Sequence, residues 1–380
     1  MRLLLVLMMC MTIAGQAPAG RPRARDLGIA PGVMDTGSLN AITDVTGVLV
    51  GQTTVVEGDA VRTGVTAVLP HGGNLFREKV PGAVFVGNAF GKLAGSTQVQ
   101  ELGTIETPIV LTNTLSVGTA MEAVVRWTLD QPGNADVRSV NALVGETNDG
   151  GLNDIRGQHV TRVHVQTAIG SAAGGPVAEG AVGAGTGTIA FGWKGGIGTS
   201  SRRVRVGGDT YTLGVLVQTN YGGRLTIAGV PVWKELSPNA ERRTPDSSAV
   251  VPPPGGTKAD GSCMIVIATD APLDARNLQR IAARGVFALG RTGSTYSNGS
   301  GDFAIAFSTV RPSGASSSPV QEQMSLSTDA ISGLFEATLD ATEEAVYNSL
   351  LAATTTSGSG RTVPALPVES LKTVLKKFGR

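Results

Sequence analysis

Two spacings of apolar residues alternate along the chain. Runs that are apolar at nearly every position and broken by glycine stand at "AITDVTGVLVGQTTVV", "VRTGVTAVLP", "LGVLVQTN", Cys263 to Thr269 and "FAIAFST". Short runs of this kind read as strands, the last two as buried ones. "TRVHVQTA" and "RLTIAGV" read as further strands. The second spacing is three to four. Leu278, Ile281, Ala282 and Leu289 mark one face of a helix that Pro272 opens and Gly293 ends. Ile331, Leu334, Phe335, Thr338, Leu339 and Val346 mark a second long helix, and Leu371, Val374, Leu375 and Phe378 a last, amphipathic one. "LSVGTAMEAVVRWTLDQPG" is apolar nearly all round, which predicts a buried helix ended by Pro132-Gly133. Strand, helix, strand, helix after residue 261 is the skeleton of a layered α/β or α+β domain.

One long stretch has neither spacing. Residues 239–261 hold four prolines after Arg243 and end on Gly-Thr-Lys-Ala-Asp-Gly. This predicts an exposed loop, and loops of that length inside compact domains are usually functional or disordered. It runs straight into Ser262 and the buried strand.

Composition narrows the class. The chain is 41% hydrophobic and 16% charged, with 52 glycines and a net charge of +1. That suffices for a large core with many tight turns, and it favours neither nucleic acid nor an anionic membrane as partner. "MRLLLVLMMCMTIAGQAPAG" has a basic start, an apolar run too short to span a bilayer and small residues at Ala17 and Ala19. It reads as a secretory signal over 1–19, which predicts export to the periplasm or beyond. Only Cys263 then remains of two cysteines, too few for an internal disulfide. It reads as a small buried hydrophobe.

Three histidines, His71, His159 and His164, are scattered, and there is no HExxH, CxxC or GxSxG. Neither a metal ion nor another cofactor is expected. His164 falls on one of the expected strands, and "GAGTGT" reads as a tight turn rather than a nucleotide loop. Catalysis without histidine remains open to a serine whose own α-amine is the base. Such an amine has a pKa near 7.7–8.0, far closer to neutral than lysine. An internal serine acquires a free amine when its hydroxyl attacks the preceding carbonyl and the ester is hydrolysed. Gly261 suits that attack because glycine tolerates a distorted peptide. Residue chemistry alone favours reading Gly261-Ser262 as an ordinary turn into a strand.

"DGSCMIVIATDAPL" followed by "ARTGSTYSNGSGDFAIAFST" resembles the DmpA-type aminopeptidases, which include L-aminopeptidase/D-esterases and β-peptidyl aminopeptidases. "DLGIAPGV", "LNAITDVTGVLVGQTT", "TPIVLTNTLSVGTA", "VGETNDGGLNDIRG" and "GAGTGTIAFGWKGGIGTSSR" match in the same order, so the likeness spans nearly the whole mature chain. The resemblance implies an αββα four-layer sandwich, an α+β fold like that of N-terminal nucleophile hydrolases but differently connected. It implies a precursor cut into 20–261 and 262–380, which are two chains of one catalytic domain, and an assembly of several such pairs. Ser262 would be the nucleophile, Ser300 and Asp302 its neighbouring pair, and Asn220 the oxyanion-binding amide. Glu146 would receive the substrate's ammonium group, with Asn148 and Gly151 beside it. Two departures stand out: many relatives carry Glu where Asp302 stands, and some carry an aromatic residue at Gly151, whose absence should reshape the pocket. The implied substrate is a short peptide or an aminoacyl amide or ester. The rival readings are an acyltransferase of the ornithine acetyltransferase type, which would use threonine, and an uncut secreted binding protein.

Overall fold

The computed structural model describes residues 20–238, 261–311 and 322–380. The expected signal at 1–19 and nearly all of the expected loop, 239–260, lie outside the described residues. One sheet holds, in spatial order, β1 (Leu49–Glu57), β2 (Val61–Leu69), β6 (Ile109–Asn113), β7 (Leu143–Thr147) and β4 (Leu93–Ala94). A second holds β10 (Gly196–Val206), β11 (Asp209–Asn220), β12 (Ser262–Thr269), β13 (Gly301–Ser308), β3 (Val80–Ala89) and β5 (Thr104–Ile105). Two ribbons stand apart: β8 (Ile189–Ala190) with β9 (Trp193–Lys194), and β14 (Thr356–Gly358) with β15 (Arg361–Val363).

The sheets face each other across an apolar core in which Val68, Ile109, Leu111 and Leu143 share one cluster with Leu216, Met264, Val266 and Ile305. Successive strand residues point to opposite faces, so Ile265, Ile267, Ala304 and Ala306 turn outward. They meet α5 (Ala275–Thr292) and α6 (Ser332–Ala352) through Leu278, Ile281, Leu289 and Leu334. On the other outer face Val65, Ala67, Val110 and Val144 pack on α2 (Val117–Leu129) and α3 (Arg162–Gly170). The layers run α, β, β, α, as the sequence resemblance implied. A strand covered on both faces needs apolar residues at every position, which is why β12 and β13 read as solid runs. The short helices α1 (Ser96–Leu102) and α4 (Val232–Glu235) and the terminal α7 (Val368–Lys377) lie around this frame.

Three expectations from periodicity are corrected. "TRVHVQTA" is helix α3, not a strand. Thr161 caps it, its hydroxyl accepting from the His164 amide at 3.4 Å while His164 Nδ1 accepts from the Thr161 amide at 3.2 Å. The buried set Val165, Ala168 and Ile169 has helical spacing, and Val163 faces out. Helix α2 is buried along one face only, through Val117, Ala120, Ala123, Val124 and Thr128, while Met121 is exposed. "RLTIAGV" forms only an isolated bridge between Ile227 and Val230. Its apolar residues are buried beside Trp193, Leu366 and Leu371 rather than in a sheet, so its alternation records packing, not strand pairing.

Candidate active site

Three strand ends meet at Ser262. The residue opens β12, opposite Asn220 at the end of antiparallel β11 and opposite Gly301 at the start of parallel β13. The Gly301 amide lies within hydrogen-bond reach of two acceptors. It donates to the Gly261 carbonyl oxygen at 3.2 Å and to Ser262 Oγ at 3.3 Å. The Gly261 carbonyl belongs to the very peptide bond that the sequence singled out. A Cβ at Gly261 would lie 2.1 Å from the Asn220 carbonyl oxygen and 2.5 Å from Tyr221 Cα, so no other residue fits without moving backbone. The sequence suggested glycine there for its pliability; the packing requires it for its size.

Ser300 and Asp302 sit two apart and so point to one side of the chain. The Ser300 hydroxyl donates to Asp302 Oδ2 at 2.9 Å, and both side chains are buried. Burial pushes the Asp302 carboxyl up to about 6, opposed by the Ser300 hydroxyl and the Cys263 amide. A register shift between Asp302 and Phe303 breaks the pairing of β13 with β3 at this point. Cys263 is fully buried and its thiol is pushed well above the usual range, as an inert core residue requires.

Asn220 is nearly buried. Its Nδ2 donates to the Asn148 carbonyl at 2.9 Å, and its Oδ1 accepts from the Ile189 amide at 2.9 Å. One of its two amide hydrogens is thereby committed, and the other is available for a developing oxyanion. Glu146 lies on β7 in the facing sheet, buried. Oε1 accepts from the Lys92 amide at 3.0 Å, the Thr114 hydroxyl donates to Oε2, and Lys92 Nζ stands 3.7 Å from Oε1. Gly91 joins this carboxylate to the surroundings of Ser262. A Cβ there would meet Glu146 Oε1 at 3.3 Å and Gly301 Cα at 3.4 Å.

Asn148 and Gly151 occupy the turn after Glu146. Asn148 Oδ1 accepts from the Gly150 amide at 3.0 Å, so this side chain shapes its own turn while its carbonyl holds Asn220. A Cβ at Gly151 would meet Ile189 Cδ1 at 2.8 Å and Arg361 Nη1 at 3.7 Å. The space an aromatic residue would take is thus bounded by Ile189 and Arg361.

Sequence reasoning missed several members. The Gly301 amide, Lys92, Thr114 and Ile189 were not assigned, nor was a buried pair behind the site. Lys194 is fully buried and donates to the carbonyls of Gly185, Thr188 and Gly195 at 2.8–2.9 Å. Burial lowers its pKa to about 7 and the Asp149 carboxylate works against that; burial raises Asp149 itself to about 6. The three filled carbonyls match the three hydrogens of the ammonium form. A lysine inside "GWKGG" was the available signal. His71 bonds the Glu78 carbonyl and His159 pairs with Asp154, both away from Ser262, and His164 caps α3. Among the described residues no three of His, Cys, Asp and Glu gather as metal ligands would.

Residues 40–363 match the description "Peptidase family S58". A β-peptidyl aminopeptidase BapA of Sphingosinicella microcystinivorans is 44% identical, the alignment covering 97% of this chain and 96% of that protein. A crystal structure from Pyrococcus horikoshii OT3 superposes with a TM-score of 0.86 at 47% identity, covering 94% of this chain and all of the other. The L-aminopeptidase D-Ala-esterase/amidase of Ochrobactrum anthropi, described as a prototype for the serine aminopeptidases and a variant of the Ntn hydrolase fold, superposes at 0.84 with 39% identity and 95% coverage of this chain. With Ser262, Ser300, Asp302, Asn220 and Glu146 gathered around one strand end in this αββα frame, the chain belongs to peptidase family S58, the aminopeptidase class its sequence resembles.

Proposed function

We propose that this aminopeptidase is made as a precursor that cuts its own Gly261–Ser262 bond and then removes N-terminal residues from short peptides, aminoacyl amides or esters. In the first reaction Ser262 Oγ attacks the Gly261 carbonyl carbon. The C–N bond breaks as the hydroxyl proton passes to the departing nitrogen, and an ester remains. Water hydrolyses the ester, leaving Gly261 with a carboxylate and Ser262 with a free α-amine. In the second reaction that amine takes the Oγ proton while Oγ attacks the substrate carbonyl. The leaving amine departs with the proton, and water releases the acyl group. Ser300 and Asp302 orient the hydroxyl, Asn220 serves the oxyanion and Glu146 holds the substrate's ammonium group.

The observation that carries this reading is the Gly301 amide shared between the Gly261 carbonyl oxygen and Ser262 Oγ. It polarises the bond to be cut with the nucleophile held on the same donor. The segment before it and the absence of room for a Cβ at 261 support the same reading. The signal-like start supports export, and the family resemblance supports assembly of several pairs. The match to a peptidase family, with serine at the nucleophile position, speaks against the acyltransferase alternative.

Purified protein run on a denaturing gel tests the proposal. Two chains are expected, the smaller beginning Ser-Cys-Met-Ile, whereas Ser262→Ala and Gly261→Ala should each give a single chain. Wild type that is active while wholly uncut overturns the mechanism. N-acetylated substrates should be poor; equal cleavage of blocked and free amines overturns the role given to Glu146.

A further inference from the structure

Ser262 has two unlike flanks. The Glu146 carboxylate, through Gly91, adjoins the β13 and β3 side. Asn220 and Ile189 lie on the β11 side. A substrate with its ammonium group at Glu146 and its scissile carbonyl at Ser262 can extend its leaving portion along the second flank. Asn220 there holds the Ile189 amide, and the open space over Gly151, where a Cβ would meet Ile189 Cδ1 at 2.8 Å and Arg361 Nη1 at 3.7 Å, leads from Ile189 to Arg361.

The Arg361 side chain is exposed and makes no hydrogen bond or ion pair among the described residues, while its backbone pairs with Gly358. Its backbone is nevertheless firmly placed. The β14–β15 hairpin is tied down by the Ser359 amide to the Asp59 carbonyl at 2.8 Å and the Ser359 hydroxyl to the Ala60 carbonyl at 3.1 Å. A Cβ at Gly358 would lie 2.2 Å from the Leu152 carbonyl, so the hairpin is pressed onto the turn that carries Gly151. Beside Arg361 opens a cavity of about 280 Å³ that Arg62 and Asp59 also line. The Arg62 guanidinium is engaged by the Gly58 and Val61 carbonyls. Two guanidinium groups against one carboxylate leave the cavity cationic; Arg62 gives its Nη1 to two carbonyls, whereas no side-chain nitrogen of Arg361 has a partner among the described residues. A planar guanidinium fork fits a carboxylate.

We infer that Arg361 is a specificity residue that binds the free C-terminal carboxylate of a short peptide's leaving portion, so that the enzyme prefers short peptide acids to their amides. This rests on the aminopeptidase reading above. It also gives the fragment after residue 261 a part in substrate choice beyond supplying the nucleophile.

The test uses the processed enzyme and matched pairs of di-, tri- and tetrapeptides, each as free acid and as C-terminal amide, with an aminoacyl p-nitroanilide as a substrate lacking the carboxylate. Wild type should favour the acid in kcat/KM by roughly tenfold or more for at least one length, the scale of a lost charged hydrogen bond. Arg361→Gln should bring that ratio near one, chiefly through KM, and Arg361→Lys should restore part of it. Equal rates on acids and amides at every length overturn the inference. So does an Arg361→Gln enzyme that keeps the ratio, or one that loses nitroanilide and peptide hydrolysis alike, as a merely structural hairpin would. A wild-type enzyme that cleaves no free-amine substrate of any kind sinks the aminopeptidase reading, and this inference with it.

Discussion

Two buried carboxylates of this protein live in opposite surroundings. Glu344 on α6 is wholly enclosed and wholly neutralised. Arg202 Nη2 reaches Oε2 at 2.7 Å, Arg25 Nε reaches Oε1 at 3.0 Å, and the Asn40 side-chain amide donates to Oε1. Asp302 is as deeply enclosed but faces a hydroxyl, with no cation in ion-pair reach among the described residues. Burial of Glu344 is compensated by partners, so that site holds the N-terminal segment to the frame. Burial of Asp302 is only partly offset, by the Ser300 hydroxyl and the Cys263 amide, and its carboxyl is raised to about 6. An unneutralised buried acid is costly to keep, and functional sites are where such groups concentrate.

The sharpest way to break this comparison is to remove each charge in turn. Asp302→Asn should lower kcat roughly 10³-fold, within the range seen when a group that orients a catalytic partner is lost. It should not destabilise the fold at pH 8. A carboxyl whose folded pKa lies above its unfolded value favours the native state below about pH 4 and loses that contribution as pH rises through 6. At pH 8 the native enzyme therefore carries the full penalty of about 2–3 kcal/mol, which asparagine avoids. A large drop in Tm for this variant would contradict the contrast. Arg202→Met should do the reverse. It strands Glu344 against one remaining arginine and should cost about 3–5 kcal/mol of stability, read by chemical denaturation, with kcat of the folded enzyme nearly intact.

Glu146 sits between these extremes, buried yet only loosely approached by Lys92 Nζ. Glu146→Gln should reduce kcat/KM roughly 10- to 150-fold for free-amine substrates while processing continues. Its discrimination between free and acetylated amines should shrink. The smallest effect is in the pH profile. The fall in rate should steepen below pH 6, from about tenfold to about a hundredfold per unit, where Asp302 takes up a proton and holds the Ser300 hydroxyl less strongly while the Ser262 amine is already protonated. A further rise is expected near the pKa of the Ser262 amine. A slope that does not steepen below pH 6 would remove Asp302 from the reaction.

The frame after residue 261 was legible because β12, α5, β13 and α6 each bury apolar residues at the spacing their conformation demands. Helix α3 was misread because "VHV" alternates by chance, while its true signals, a Thr161 cap and the Val165, Ala168, Ile169 set, are short. Ser262, Ser300 and Asp302 were picked out through the motifs shared with the family, and two neighbouring strand ends bring them together. The holders of Glu146 were not. Lys92 and Thr114 stand 54 and 32 residues away in sequence and meet the acid only through sheet pairing and facing. The crowding at Gly261 was invisible for a related reason: it is set by Asn220 and Tyr221 on the neighbouring strand.

The strand order of the six-stranded sheet has a consequence for lifetime. Strands β12 and β13 follow residue 261, yet they lie between β11 and β3, which precede it. Arg21 adds a tie, donating to the carbonyls of Leu351 and Leu366. If the chain is severed at 261, neither piece can leave without opening hydrogen-bonded ladders on both sides of the inserted pair. Severing also removes the linkage that brought the pieces together, so a molecule that once unfolds must find its other half by diffusion. The processed enzyme would then persist by slow unfolding rather than by ready refolding, and its working life would be a matter of rate rather than of equilibrium.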